Sequence, residues 1–475
     1  MDHAAAAQLL WSSASSSSSG AEMALSAAAA AAAVGFVLCR RARRRHQYNV
    51  ARRRGGSTLG RAPNASLSRL HAAQELDRDY FCRNGDGEPA ASSARFTKDW
   101  RMSRDVYERI RSELIKDSYF DETRRDAAGC PPCSADQKMC AALLQLVDGV
   151  SSRAVWKYLK IGSSTATESL KQFSRSVVHH FKGEYLRDPS ADELQGIAAE
   201  YEVLGFPGCV GCLDCAGWEW DACPVGWHGN YKGAAKKPSL RMEAVCDDYL
   251  YCWHLNFGVP GSKNDLNILY ASSLFQRIRQ GSWPPSQPKS TIAGMALTWF
   301  YYLTDGIYPD WRVFVKTYKT PRNKKEKTFG KQQESVRKAI ERFFGVLFRR
   351  YRILRQPCAL WFKEDMACIM QACVIMHNMT VRERKATYTG TRAARVEADA
   401  AETEDAGTTT YHKLDPPTDP IALVEWMHET AGQVENRKHH DDLKAALAEH
   451  MYARAGDCAG ESSSGDDFET DSDGS

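Results

Sequence analysis

Cys209–Trp220 reads CVGCLDCAGWEW, a run of small and apolar residues interrupted near its middle by Asp214. It has the length and composition of a buried strand, where a carboxylate is out of place unless chemistry requires it. Ser239–Tyr249 (SLRMEAVCDDY) and Leu250–Pro260 (LYCWHLNFGVP) repeat the texture, so three strands are expected in succession. Working outward, Asn264–Arg279 reads as a helix. Thr298–Tyr308 (TWFYYLTDGIY) reads as an aromatic strand ending at Asp305, and Lys331–Arg352 as a long helix. Strands alternating with helices predict an α/β domain over residues 205–385.

The region before Gly205 reads differently. Ser103 caps a helix carrying Val106, Tyr107, Ile110 and Leu114 at helical spacing, and Ser134 opens a second helix. Ser151–Leu159 and Ser163–Phe181 are expected as helices joined by a turn at Lys160–Gly162. That is helix-turn-helix spacing, although any helical bundle contains such pairs. Read as a DNA-binding unit, it offers Arg153, Lys157, Ser163, Ser164, Thr165, Lys171 and Arg175 to a groove or to phosphates. An all-α domain over residues 76–204 is therefore expected to precede the α/β domain.

The flanks are compositionally biased. Residues 1–75 combine a serine run, the uncharged Ala-rich segment Met23–Cys39 and the basic run Arg40–Arg54. They cannot bury enough apolar surface to fold alone. Charge following the apolar segment is the wrong order for a signal peptide, and alanine contributes little to insertion, so a leader is favoured over a membrane anchor. The basic run suits nuclear import or a phosphate-gripping arm. Residues 386–475 read as an acidic linker, one helix near His439–Arg454 and a disordered acidic tail. The bulk is that of a globular protein, with 43% hydrophobic residues, 10% aromatic residues and a net charge of +4.

The fifteen cysteines are odd in number and scattered, which favours reduced thiols. Cys209, Cys212, Cys215 and Cys223 have zinc-like spacing. On an unbroken strand, however, residues three apart face opposite ways, so packing as small hydrophobes is expected. His377 and Asn378 are read as satisfied core groups rather than ligands. No phosphate-binding Walker loop is present, so ATP-driven chemistry has no support.

Three acidic residues then stand out: Asp214 in the first strand, Asp305 at the end of the aromatic strand, and Glu341 on the long helix. Glu341 flanks the stripe Val336, Ile340, Phe343, Phe344, Leu347, Tyr351 and Leu354, in line with Arg337 and Gly345. Phosphodiester cleavage needs an activated oxygen nucleophile and a stabilised leaving oxyanion, which two Mg²⁺ ions held by a few carboxylates supply. The basic stretch Pro321–Gln332, with Lys324, Lys325 and Lys327, is expected as a loop touching the DNA backbone beside that site.

These motifs resemble those of the PIF/Harbinger branch of DDE transposases. GCLDCAGWEW resembles the first-aspartate motif and FGVPGSKNDLNIL the Pro-Gly-Ser segment. TDGIYPDW resembles the second-aspartate motif, VRKAIERFFGVLFRRYRILRQP the glutamate motif and ACVIMHNM the closing helix. The similarity covers about Phe96–Arg384, and 35 residues separate Asp305 from Glu341 as in that group. The resemblance implies an RNase H-like domain, a mixed sheet flanked by helices, in which Asp214, Asp305 and Glu341 are catalytic and hold two Mg²⁺ or Mn²⁺ ions. It adds Asp265 as a metal candidate, although Asn264 or Asp265 serves equally as a helix cap. It further implies DNA partners (transposon ends and an A/T-rich target), a separate Myb-like DNA-binding protein, a homo-oligomer on DNA and a nuclear location. One departure is Gly217, where relatives carry a histidine; it leaves room for a domesticated, non-catalytic DNA- or chromatin-binding protein that keeps the fold.

Overall fold

The computed structural model describes residues 68–83, 87–123, 132–233, 236–385, 392 and 431–461. Residues 1–67 lie outside the described residues, so the Ala-rich segment and the basic run are not placed. Among the described residues, no helix is long and apolar enough to cross a membrane.

Among the described residues, seven helices come first: α1 (Arg69–Tyr80), α2 (Ser93–Trp100), α3 (Arg104–Leu114), α4 (Ala135–Asp148), α5 (Ser152–Leu159), α6 (Ser163–Tyr185) and α7 (Ala191–Val203). Their starts follow the expected capping chemistry. Ser103 and Ser134 each accept an N–H from the first turn, and Ser134 with Gln137 forms a complete capping box. The α5–α6 turn is tight, and its left-handed residue is Lys160 (φ 53°) rather than a glycine; Gly162 caps α6 at φ −61°.

The second half alternates β1 (Cys209–Glu219), α8 (His228–Tyr231), β2 (Ser239–Cys246), β3 (Cys252–Pro260), α9 (Asp265–Ala271) and α10 (Ser273–Arg279). Then follow β4 (Thr291–Ile292), β5 (Met295–Ala296), β6 (Tyr301–Leu303), β7 (Phe314–Val315), α11 (Lys324–Arg350), α12 (Lys363–Lys385) and α13 (Arg437–Glu461). Five strands make one mixed sheet in the order β3-β2-β1-β6-β7. β1 is antiparallel to β2 and parallel to β6; β4 and β5 form a separate hairpin.

Three expectations change. The helix over Asn264–Arg279 is two helices, because Ser272 turns its hydroxyl inward to donate to Glu243 at 2.6 Å. The basic stretch at 321–332 is mostly helix: Asn323 caps the Glu326 N–H at 2.8 Å, starting α11 seven residues earlier than expected. Finally, one continuous hydrophobic core runs from Phe96 and Trp100 through the sheet to α12, with α6 packed along α12. The helical region thus shares its interior with the sheet instead of enclosing its own.

α12 fastens the two parts together. Asn378 reaches the backbone of β3 and the end of α6, while the buried ring of His377 donates from Nε2 to the Leu250 carbonyl at 2.8 Å. Burial, reinforced by Arg350, holds the His377 pKa down at about 3. The ring is neutral in the native protein but titrates normally once unfolded. Its folded pKa lies below the unfolded value, so stability is lost as pH falls through the unfolded pKa. The expected loss is about 2 kcal/mol between roughly pH 7.5 and pH 5. Urea unfolding at the two pH values measures it. An equal pH dependence in His377→Gln would show that other groups are responsible.

Candidate functional site

The register of β1 and β6 builds the site. The strands are parallel, and Cys212 pairs with Leu303 at the end of β6. Two residues past this last parallel pair come Asp214, still within β1 and paired with Ala244 of β2, and Asp305, after β6 has ended. In open α/β sheets, ligands bind outside the carboxyl ends of the strands. Gly211 lets β1 lie close against β2: with φ +151°, a Cβ there would lie 2.8 Å from Val245 Cγ1 and 3.0 Å from the Cys246 carbonyl oxygen. The β1–β6 pairing is irregular at this point, and the backbone resets before Asp214.

α11 packs against β1 and β2 and brings the third carboxylate. Glu341 is 48% exposed. One helical turn before it, Arg337 is only 18% exposed; its Nη2 donates to Glu341 Oε1 at 2.7 Å and its Nη1 stands 3.7 Å from Asp214 Oδ2. One guanidinium therefore faces two of the three expected catalytic carboxylates. Asp214 accepts the Cys215 N–H at 2.7 Å, and Asp305 accepts the Ile307 N–H at 2.8 Å. Burial pushes the Asp214 carboxyl above its ordinary pKa. Asp305 and Asp265 push it the same way, while the Cys215 N–H and Arg337 oppose them.

Asp265 opens α9 but does not cap it: Asn264 does, accepting the Asn267 N–H at 3.0 Å. The Asp265 carboxylate is left to pair with Arg241 of β2. Arg241 stands opposite Gly217 in register, and a Cβ at Gly217 would lie 3.6 Å from Arg241 Cδ. The position where a histidine is expected is thus bordered by an arginine that holds a neighbouring carboxylate.

Sequence reasoning missed Arg241, noted Arg337 only for its place in line with Glu341, and missed a buried carboxylate on β2. Glu243 is fully buried on β2, opposite Cys215; its Oε1 accepts the Ser272 hydroxyl and lies 3.1 Å from His254 Nε2. The signal was available, since Glu243 interrupts SLRMEAVC just as Asp214 interrupts its own strand. Among the described residues, no three His, Cys, Asp or Glu side chains are close enough together to ligate one metal ion in this arrangement. Cys209, Cys212 and Cys223 are buried free thiols and Cys215 is half-buried, as packing predicts.

The residues expected to meet DNA divide into two groups. Arg153, Lys157, Ser163, Ser164, Lys324 and Lys327 are exposed, and Thr165 is half-buried. Lys171 and Arg175 instead grip the buried Asp365 of α12 at 2.7 and 2.5 Å, and Lys325 pairs with Glu449 of α13. Each makes an ion pair within the protein, while Arg175 and Lys325 keep much of their side chains exposed.

Residues 183–388, which carry all four acidic candidates, match the family model described as plant transposon protein. No curated protein and no solved structure matches the chain.

Proposed function

We propose that this transposase-related chain is a divalent-metal-dependent DNA endonuclease and strand transferase of the PIF/Harbinger type, with an RNase H-like fold. The observation that carries the reading is that Asp214 and Asp305 each follow the last parallel β1–β6 pair by two residues, and that Arg337 of α11 links Asp214 to Glu341. The sheet order, with one antiparallel hairpin extension and parallel strands on the other side of β1, supports it as well.

The donor set fits Mg²⁺ or Mn²⁺. Asp214, Asp305 and Glu341, with Asp265 as a further candidate, offer only hard carboxylate oxygens, and two guanidinium groups already sit against them as cations. Two bound ions would supply Lewis-acid stabilisation of the attacking and leaving oxygens of the phosphodiester. The protein's own part is orientation. Two aspartates fixed by backbone N–H groups and a glutamate on a packed helix keep the acceptor oxygens in place. Arg153, Lys157, Ser163, Ser164 and Thr165 beside the α5–α6 turn, and Lys324 and Lys327 at the start of α11, are positioned to hold phosphates and set the register of the duplex. The same reading assigns transposon ends and an A/T-rich target as DNA, a Myb-like companion, oligomerisation on DNA and a nuclear location.

A second reading has its own observation. Arg337 and Arg241 pair with Glu341 and Asp265, a charge balance suited to a domesticated DNA- or chromatin-binding protein that has kept the scaffold. A plasmid-nicking assay with the full chain separates the two. The enzyme nicks supercoiled DNA in Mn²⁺ and stops in excess chelator and in Asp305→Asn. DNA binding without nicking, or nicking undiminished in Asp305→Asn, overturns the nuclease reading.

A further inference from the structure

We infer that Arg337 is the resident counter-ion of the carboxylate site: its guanidinium must leave Asp214 and Glu341 before a divalent cation is held there, so this side chain sets metal affinity. The inference rests on the reading of these carboxylates as a metal site. Its basis is geometric. Arg337 Nη2 lies 2.7 Å from Glu341 Oε1 and Nη1 lies 3.7 Å from Asp214 Oδ2, so a single planar group spans a strand carboxylate and a helix carboxylate. At 18% exposure the guanidinium is shielded from competing water, and each contact is correspondingly stronger than at the surface. A like arrangement holds the fourth acidic group, where Arg241 pairs with Asp265. Three of the four carboxylates that would have to converge on an ion, Asp214, Asp265 and Glu341, therefore face an arginine, while Asp305 accepts the Ile307 N–H.

The same helix line provides an exit. Gly345 lies one turn beyond Glu341, and a Cβ there would meet nothing within 4 Å. That open strip leaves the Glu341 carboxylate room to turn away from Arg337 without disturbing the packed side of α11. Once released, Arg337 stands beside the scissile position with a planar, permanently charged fork suited to a phosphate. The competition lowers apparent affinity by the fraction of molecules in which the carboxylates are free. If that fraction is about one tenth, removing the guanidinium tightens metal binding about tenfold.

Titration calorimetry of Mn²⁺ into the full chain tests this without any turnover. Arg337→Met is expected to bind Mn²⁺ about tenfold more tightly than the unmodified chain, equivalent to about 1.4 kcal/mol. Arg337→Lys keeps a positive charge but cannot span both carboxylates, and is expected to fall between the two. This second variant carries the test should Arg337→Met fail to fold. Should the unmodified chain bind Mn²⁺ and both variants bind it equally or more weakly, the counter-ion role is overturned while the metal site stands. If neither the chain nor the variants bind Mn²⁺, the metal-site reading fails and the inference with it.

Discussion

If the chain is the proposed metal nuclease, replacing Asp214 by asparagine is expected to lower Mn²⁺-dependent nicking at least about a thousandfold, because a carboxylate–metal contact contributing some 4 kcal/mol to the transition state would be lost. The same substitution is expected to raise the melting temperature of the metal-free protein at neutral pH. Burial raises the folded pKa of Asp214 above its unfolded value, with Asp305 and Asp265 adding to the shift. For an acid shifted in this direction, the native state holds its proton more tightly than the unfolded chain does. Stability is therefore greatest below the unfolded pKa and declines as pH rises to the folded pKa. At neutral pH the folded protein bears the whole penalty, and asparagine, which cannot ionise, removes it. Mn²⁺ should then no longer stabilise the variant, whereas the unmodified chain should gain about 2.7 kcal/mol at a hundredfold excess over the dissociation constant. Melting curves with and without Mn²⁺, beside the nicking assay, give all three readings. Retained nicking, or a variant less stable than its parent without metal, would sink the account of Asp214.

The largest effect on the fold itself is expected from Asn378→Ala. The Asn378 amide donates to the carbonyls of Tyr185 and Cys252, both at 2.7 Å, and its oxygen accepts the Cys252 N–H at 2.9 Å. All of this lies in the interior, where α12 meets the edge of the sheet and the end of α6. Alanine leaves an N–H and two carbonyls without these partners, each costing about 1–3 kcal/mol. A loss of roughly 4 kcal/mol is expected, read as a lower urea midpoint at unchanged slope. A loss below about 1 kcal/mol would mean that neighbouring groups replace the amide's bonds.

Much of this was legible because the relevant residues violate their surroundings. Asp214 stands in an apolar strand and Asp305 ends an aromatic one, and both prove to sit where a parallel pair stops. The first three strands were readable because their whole length is strand-like. β4, β5 and β7 have two residues each, too short for any periodicity to mark them. The break at Ser272 depends on a hydroxyl meeting Glu243, twenty-nine residues earlier in the chain, which no local pattern reveals. Lys171 and Arg175 were legible as part of a basic helix face, but helical spacing shows a face and not its neighbour, and their ion pairs to Asp365 needed the assembled fold. Arg337 was noticed only as lying in line with Glu341. Its span to Asp214 requires the strand and helix to be assembled.

α13 gives the sheet a finished border. The His440 ring donates to the Trp311 and Phe314 carbonyls beside β7, and the Lys444 ammonium donates to the Thr317 carbonyl at 3.1 Å. A chain shortened before residue 431 would keep every acidic candidate, yet leave those carbonyls bare along a strand only two residues long. Open strand borders recruit strands from other molecules. Such a truncation would therefore show itself first as self-association and poor solubility, and could be mistaken for an inactive enzyme although its chemistry had never been touched.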